Sequence, residues 1–383
     1  MTALPGDATT VLRPAALAPV RVLLVAPSLR YLGGQAVQAQ RLREHLSREG
    51  WVHVDLLEVD PALPAPLGFL QRIKFVRTIV TSLAYVASLL ATVPRYDVVH
   101  VFSASYWSFL LAPVPAMLVG RLFRTRVIVN YRSGEADDHL SRWGWHAIPL
   151  LRLAEAIVVP SGYLVDVFAR FGLRATSVPN FLDLDTLHYR RRASLRPNFL
   201  SNRNFESHYD VETVLRAFAI IQRSYPDASL VVAGDGPMRQ ALTALASELG
   251  LRQTVFPGAV RPIDMATLYY DADIYLNSPR IDNMPNSVIE AFASGVPVVS
   301  SDAGGIPYVV TSGVNGILVR VADPEALAAA SIRLLESPDL ALAMADTARE
   351  DAVTRYTWRA VRSGWQQVYV GARARATDPN RQQ

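Results

Sequence analysis

The chain of 383 residues contains no cysteine. That excludes disulfide scaffolds, thiolate metal sites and cysteine nucleophiles together. Lysine is nearly absent too: Lys74 is the single one among 38 basic residues, and the other 37 are arginine. A phosphate bound by a side-chain cation is therefore expected to be bound by arginine, whose planar fork matches phosphate oxygens and stays charged. Charged residues make up only 19% and hydrophobic ones 50%, which excludes disorder for most of the length. The net charge of +4 is too small for this length to argue for nucleic acid, and none is expected as a partner. Long hydrophobic runs are missing as well. The uncharged apolar stretch from Thr78 to Val93 has 16 residues with three threonines and two serines, short of the roughly 20 that span a bilayer, and reads as a buried or surface-lying helix. Residues 1–19 lack the basic start and apolar core of a signal peptide and read as a loose tail, so a cytoplasmic location is expected.

What is present is an alternation. Apolar β-branched runs at 21–27, 53–59, 97–103, 126–131 and 155–161 are each followed by a turn and a helical stretch, and the theme returns at 198–202, 229–234, 273–278 and 296–301. Near-continuous apolar strands between helices imply parallel sheets covered on both faces. The length suits two such α/β units: residues 20–182 and 198–352, joined by a polar, basic hinge at 183–197 that contains Arg190-Arg191-Arg192 and ends in proline. A helical period over Trp358, Val361, Trp365, Val368 and Tyr369 places a last helix within 353–374, followed by a fraying tail at 375–383. Residues 1–199 hold 22 basic and 14 acidic groups, the remainder 16 and 20, so the first half is the candidate anion or membrane face. Ligands of open α/β sheets bind at strand C-terminal ends, so a cleft between the halves is the expected site.

Gly33-Gly34 follows the first strand and precedes a helix, where backbone N–H groups can approach a phosphate. A plain flexible turn is the alternative. Gly234-Asp235-Gly236-Pro237 is a second strand-to-helix turn, with proline placed for the first helical position, but it carries only half of a dinucleotide fingerprint. The most informative segment is SPRIDNMPNSVIEAFASGVPVVSSDAGGIP at 278–307. Asp282 lies in a turn after a strand, and Glu290 in the first turn of a helix beginning near Asn286. Acids so placed can accept hydrogen bonds from sugar or ribose hydroxyls while helix N–H groups face a diphosphate. Equally, Ser287 to Glu290 has the form of a capping box, which stabilises a helix with no ligand at all.

This segment resembles the glutamate-seven-glutamate signature of retaining GT-B glycosyltransferases of the glycosyltransferase 4 type. LLVAPSLRYLGGQAVQAQRL resembles that family's N-terminal glycine loop, DVVHVFS and VVPSGYLVDVF its middle strands, and VVAGDGP its second-domain nucleotide turn. NRNFESHYDVETVLRAF resembles the segment where the family carries an arginine and, five residues on, a lysine. The likeness runs from about Val20 to Ala372. It implies a GT-B fold of two Rossmann-like domains, a nucleotide-diphosphate sugar bound in the cleft with no metal or other cofactor, and a C-terminal helix returning to the first domain. It also implies roles. Gly33 and Gly34 would approach the diphosphate, Arg203 would neutralise it, Gly234 and Gly236 would belong to the nucleotide turn, and Glu290 would hold the ribose. Asp282 would address the donor sugar, with loop contacts from Asn283, Met284, Pro285, Asn286 and Ser287. Three residues depart from the pattern: His208 replaces the lysine, Arg132 stands where many relatives carry histidine and adds a phosphate-facing cation, and residue 282 is one methylene shorter than glutamate.

The implied reaction is sugar transfer, with retention, to a glycolipid or polysaccharide acceptor. An epimerase or phosphorylase on the same fold, and a catalytically weak nucleotide-sugar-binding scaffold, are the alternatives. Asp183-Leu184-Asp185 and Asp271-Ala272-Asp273 have the form of a metal-binding Asp-x-Asp, but their placement reads as solvated turn acids. The three-arginine run reads as a solvated linker, and His100 as a core histidine at a strand end. Arg72, Lys74 and Arg77, among Phe69, Leu70, Ile73 and Phe75, suggest a basic, apolar helix lying on an anionic membrane, peripheral on its inner face.

Overall fold

The computed structural model describes residues 18–28, 30, 34–63, 69, 73 and 76–376, with side chains to residue 370. Two parallel six-stranded sheets form its frame. The first contains β1 (Val20–Ala26), β2 (Val52–Glu58), β3 (Val98–Ser103), β4 (Arg126–Tyr131), β5 (Ala156–Val159) and β6 (Thr176–Ser177), in the order β2-β1-β3-β4-β5-β6. The second contains β7 (Asn198–Asn202), β8 (Ser229–Ala233), β9 (Thr254–Gly258), β10 (Ile274–Asn277), β11 (Val298–Ser301) and β12 (Ile317–Val319), in the order β12-β11-β10-β7-β8-β9. The central strands β3, β10 and β11 are buried along their whole length, as continuous apolar runs require. Each sheet reverses its strand order once, between β1 and β3 and between β7 and β10. A crevice opens at the carboxyl ends of the strands at such a reversal.

In the first unit the helices are α1 (Gly34–Leu46), α2 (Val76–Thr92), α3 (Tyr106–Leu111), α4 (Pro113–Leu122), α5 (Ala136–Leu151) and α6 (Gly162–Arg170). One face of its sheet packs on Tyr85 and Leu89 of α2, Phe109 of α3, Met117 of α4 and Leu140 of α5. The other packs on α1 and on a helix from the far end of the chain. The second unit carries α7 (Val211–Ser224), α8 (Arg239–Glu248), α9 (Pro262–Asp271), α10 (Asn286–Ala293), α11 (Pro324–Glu336) and α12 (Pro338–Arg355). After it, α13 (Trp358–Ala376) crosses to the first unit, burying Val361, Trp365 and Tyr369 beside Val22, Leu24 and Phe102. Glu49 fixes this crossing. Its carboxylate accepts 2.6 and 2.7 Å bonds from Arg362 and a 3.1 Å bond from Trp358 Nε1, and the Arg362 bonds hold its pKa down at about 2. His100 lies in the same core, its Nδ1 2.6 Å from the Tyr369 hydroxyl.

The connecting segment differs from its sequence reading. Of the three arginines only Arg191 is solvated, 3.3 Å from Asp346. The Arg192 side chain is fully buried, donating to the carbonyls of Tyr269, Ala272, Ser294 and Gly295. Asp273 is no solvated turn acid either: it is buried beneath Arg190 at 2.7 Å, Arg192 at 3.5 Å and Arg196 at 3.2 Å. Because a buried charge must be paired, an arginine run and a distant aspartate that look like surface punctuation become one internal cluster. It fastens the connecting segment to the C-terminal ends of α9 and α10. The apolar stretch at 78–93 is also longer in the fold. Helix α2 and the turn after it run over Val76–Arg95, 20 residues of mean hydropathy 1.6, long and apolar enough to cross a membrane. Tyr85 and Leu89 nevertheless lie in the core, so the helix lies along the first unit.

Candidate functional site

Both strand-order reversals open on one cleft of about 1050 Å3. From the first unit come the ends of β1 and α1 (Pro27, Gly34), the turn after β3 and the helix it enters (Ala104, Ser108 of α3) and the turn after β4 (Arg132 to Glu135). From the second come the turn after β7 (Arg203, Asn204, His208, Tyr209) and the turn after β10 (Ile281 to Ser287).

The second-unit wall is built around Arg203. Its guanidinium donates to the Asp282 carboxylate and, at 3.0 Å, to Ser287 Oγ, and it lies 4.0 Å over the Tyr209 ring. Burial, the largest single influence, would depress the pKa of this arginine, but the Asp282 charge and hydrogen bond together with the Tyr209 and Tyr275 hydroxyls outweigh it and the net shift is upward. Gly234 and Gly236 lie behind this loop, not on the cleft wall. Their φ values are +147° and +153°, and a Cβ on Gly234 would overlap the Arg203 carbonyl, while one on Gly236 would come within 2.7 Å of the Phe205 carbonyl. They let β8 and its turn press against the arginine loop. Pro237 stands outside the helix, which starts at Arg239.

The 282–287 loop is tied to the opposite unit. Asn283 Oδ1 accepts from Ser161 Oγ, and the Met284 carbonyl accepts from Asn180 Nδ2 at 3.0 Å. Asn286 Oδ1 accepts from Asn180 Nδ2 at 2.8 Å and from Gln38 Nε2 at 3.1 Å. Met284 and Pro285 are buried. Gly304 and Gly305 support the loop from behind, because a Cβ on either would overlap the carbonyl of Asp282 or Asn283. Ser287 is not a capping residue. Helix α10 starts at Asn286 after Pro285, no side chain caps it, and Ser287 spends its hydroxyl on Arg203. Glu290 falls in the second turn, off the cleft wall. It accepts a 3.0 Å bond from the Tyr269 hydroxyl, and burial raises its pKa.

The first unit contributes Gly34 at the start of α1, where a Cβ would sit 3.7 Å from Asn286 Nδ2. Gly33 lies outside the described residues. Arg132 reaches across the Phe102 ring at 5.6 Å and donates to Asn180 Oδ1. Among the described residues no carboxylate pairs with it, and desolvation lowers its pKa to about 10, still cationic at neutral pH. His208 lines the cleft with its Nδ1 3.6 Å from Glu206. Sequence reasoning missed Asn180, Gln38, Ser161 and Tyr209. Each is an isolated polar or aromatic residue whose neighbours in sequence give no signal: the meeting of the two units assigns Asn180, Gln38 and Ser161 their partners, and the fold of the β7 turn places Tyr209 under Arg203.

Two family models match, the Glycosyltransferase Family 4 model over residues 32–186 and the Glycosyl transferases group 1 model over residues 191–351. The chain belongs to the GT-B glycosyltransferases of the family 4 type. It is an enzyme of that class, using a nucleotide sugar. This glycosyltransferase is 27% identical over 277 residues to a GDP-mannose-dependent alpha-(1-6)-phosphatidylinositol monomannoside mannosyltransferase of Mycolicibacterium smegmatis, covering 65% of this chain and 72% of that one. It is 26% identical over 303 residues to glycogen synthase of Mycobacterium tuberculosis, covering 74% and 71%. Among solved structures it resembles sucrose-phosphate synthase from Thermosynechococcus elongatus (TM-score 0.75, 22% identity, 93% of this chain and 99% of that one). It also resembles Anabaena HepE, solved with UDP and glucose (TM-score 0.72, 18% identity, 92% and 100%). At these identities the two structures bear on the fold, which is the GT-B arrangement of two facing parallel-sheet domains.

Proposed function

We propose that this glycosyltransferase moves a sugar from a nucleoside-diphosphate donor to a glycolipid or polysaccharide acceptor, with retention of anomeric configuration and without a metal ion, at the inner face of a membrane. One observation carries the donor site: two arginines from opposite domains, Arg132 and Arg203, line one cleft formed by both strand-order reversals. Breaking a glycosyl–phosphate bond builds positive charge on the sugar and negative charge on the departing diphosphate. Fixed cations and N–H groups at that diphosphate are the principal requirement. Arg203 supplies a guanidinium already oriented by Ser287 and Tyr209, and Arg132 supplies a second, uncompensated charge. Gly34, opening α1, leaves room for a phosphate oxygen at a helix N-terminus. Asp282 and Asn283 are placed for the donor sugar, and Glu290, one of whose oxygens accepts from the Tyr269 hydroxyl, keeps the other for the ribose.

The metal-independent reading has support in the charge pairs. Asp183 is engaged by Arg41 at 3.2 Å, and Asp273 by three arginines, so in each Asp-x-Asp one of the two carboxylates is already held by arginine. Retention follows if the acceptor attacks from the leaving group's own face and a diphosphate oxygen takes its proton. Asp282 is bound to Arg203 and is no free nucleophile.

The test is release of nucleoside diphosphate from a panel of sugar nucleotides, with the anomeric configuration of the product read by NMR. Arg203→Ala is expected to lower release by at least about 100-fold, the effect of losing one preorganised oxyanion donor. Glu290→Ala is expected to raise KM more than it lowers kcat. Donor binding with no release from any sugar nucleotide would assign the protein to the scaffold reading.

A further inference from the structure

Helix α2 is apolar on both sides. Tyr85 and Leu89 enter the core, while Ile79, Leu83 and Leu90, at helical spacing, point away from it and are 62%, 66% and 42% exposed. A helix with apolar residues on two faces needs cover on both, yet only 17% of the apolar window of this one is buried. The outer faces of its neighbours continue the pattern with Trp107 of α3 and Leu118 and Leu122 of α4. Ten of the nineteen large hydrophobic side chains exposed among the described residues fall between Phe69 and Phe123. Patches of this kind mark interaction surfaces.

Charge selects the partner. Residues 61–134 contain eight basic residues and a single acid, Asp97, which pairs with Arg21 at 3.1 Å. Arg77 lies in the first turn of α2 and Arg95 just beyond its end, Arg121 lies in the last turn of α4 and Arg124 just beyond it, all four exposed. An apolar face ringed by arginine and free of unpaired acid suits an anionic lipid surface, where the acyl boundary covers the aliphatic side chains and the guanidinium groups reach the headgroups.

The same helices shape the mouth of the cleft. Thr78, Thr81 and Ser82 of α2 and Ser108 of α3 line the cavity, while Ile79, Leu83 and Trp107, beside them in sequence, face outward. We infer that the outer face of α2, α3 and α4 docks on an anionic bilayer and sets the cleft mouth at the lipid plane, so that the acceptor is a membrane-anchored molecule whose headgroup enters past the hydroxyls of α2. This rests on the acceptor reading above and narrows it to the lipid-anchored class.

The experiment is sedimentation of the full chain with phosphatidylcholine vesicles containing or lacking phosphatidylglycerol. The wild type is expected to sediment with the anionic vesicles. The Ile79→Glu/Leu83→Glu double variant is expected to lose at least tenfold in partitioning, and Arg121→Ser/Arg124→Ser to lose most of its salt sensitivity. Brominated lipid should quench tryptophan fluorescence in the wild type and less in Trp107→Phe. An unchanged thermal melt and unchanged donor hydrolysis in the double glutamate variant would show that it is folded. Absence of sedimentation by the wild type, or quenching unaltered in Trp107→Phe, overturns the proposal. A dimer in ultracentrifugation that the double variant dissolves would assign the face to a second copy and overturn it too. Vesicle binding without sugar transfer would leave the docking face standing and remove the reaction instead.

Discussion

The cleft's two arginines occupy equivalent positions, each in the turn after a strand at the cleft, yet their surroundings differ in one respect that reverses their electrostatics. Arg203 is buried with a counter-ion, so its pKa rises. Arg132 is half-buried among amides and a phenyl ring, with no carboxylate paired among the described residues, so its pKa falls to about 10. With the cleft empty, the charge of Arg203 is therefore compensated by Asp282, while Arg132 has no carboxylate paired with it among the described residues. On the proposed donor reading, an incoming diphosphate would be attracted first to Arg132 and would then have to take Arg203 away from Asp282. That exchange would release the aspartate to the sugar hydroxyls at the moment the phosphate replaces it.

The largest expected effect breaks this contrast at its origin. Asp282→Asn removes the counter-charge, leaving Arg203 free for phosphate. Nucleoside diphosphate should then bind about tenfold more tightly by calorimetry, since a hydrogen bond to a charged group is worth about 1.5–3 kcal/mol. Sugar transfer should fall by about 100-fold, because the donor sugar loses its acceptor carboxylate. Weaker diphosphate binding in this variant would mean that the ion pair only braces the loop. Next in size, Arg132→Gln should weaken nucleoside diphosphate binding by about tenfold and flatten its dependence on salt. A change of less than about twofold would place the working charge elsewhere in the cleft.

The sequence made the contrast half visible. Strands at 21–27, 97–103, 126–131 and 296–301 were legible because a strand covered on both faces is a continuous apolar run, and the observed β1, β3, β4 and β11 lie there. β6, with two exposed residues, and β9, with alternate residues exposed, are edge strands that need no such run, and they went unread. The acids and arginines of the site were legible as motif positions, but their pairing was not. Nothing near Arg203 in sequence announces that Asp282, 79 residues on, already neutralises it. The same blindness made Arg192 and Asp273 look like solvent groups, since burial of a charge is decided by the partner that the fold brings to it.

The smallest effect extends the comparison from the two arginines to the two domains. His100 and His139 are both buried in the first domain, where desolvation lowers their pKa values to about 3 and about 4. The second domain has only His208, in the cleft. In the unfolded chain a histidine titrates near 6.5, so on acidification the unfolded state takes up protons that the folded first domain refuses. The stability contributed by each neutral histidine is complete above about pH 6.5. It is lost as pH falls below that value, by up to about 1.4 kcal/mol per pH unit, until the folded-state pKa is reached. Acid should accordingly loosen the first domain before the second. The tryptophans report on this selectively: Trp51, Trp107, Trp143 and Trp145 belong to the first domain, and Trp358 and Trp365 of α13 pack against it. Between pH 6.5 and 4.5 the midpoint of thermal unfolding followed by tryptophan fluorescence should drop more than the midpoint followed by amide exchange in β7, β10 and β11, and His100→Phe should remove part of the difference. Coincident midpoints at every pH would mean that α13 and the Asn180 contacts couple the two domains into one unfolding unit, and the electrostatic difference between them would then be confined to the cleft.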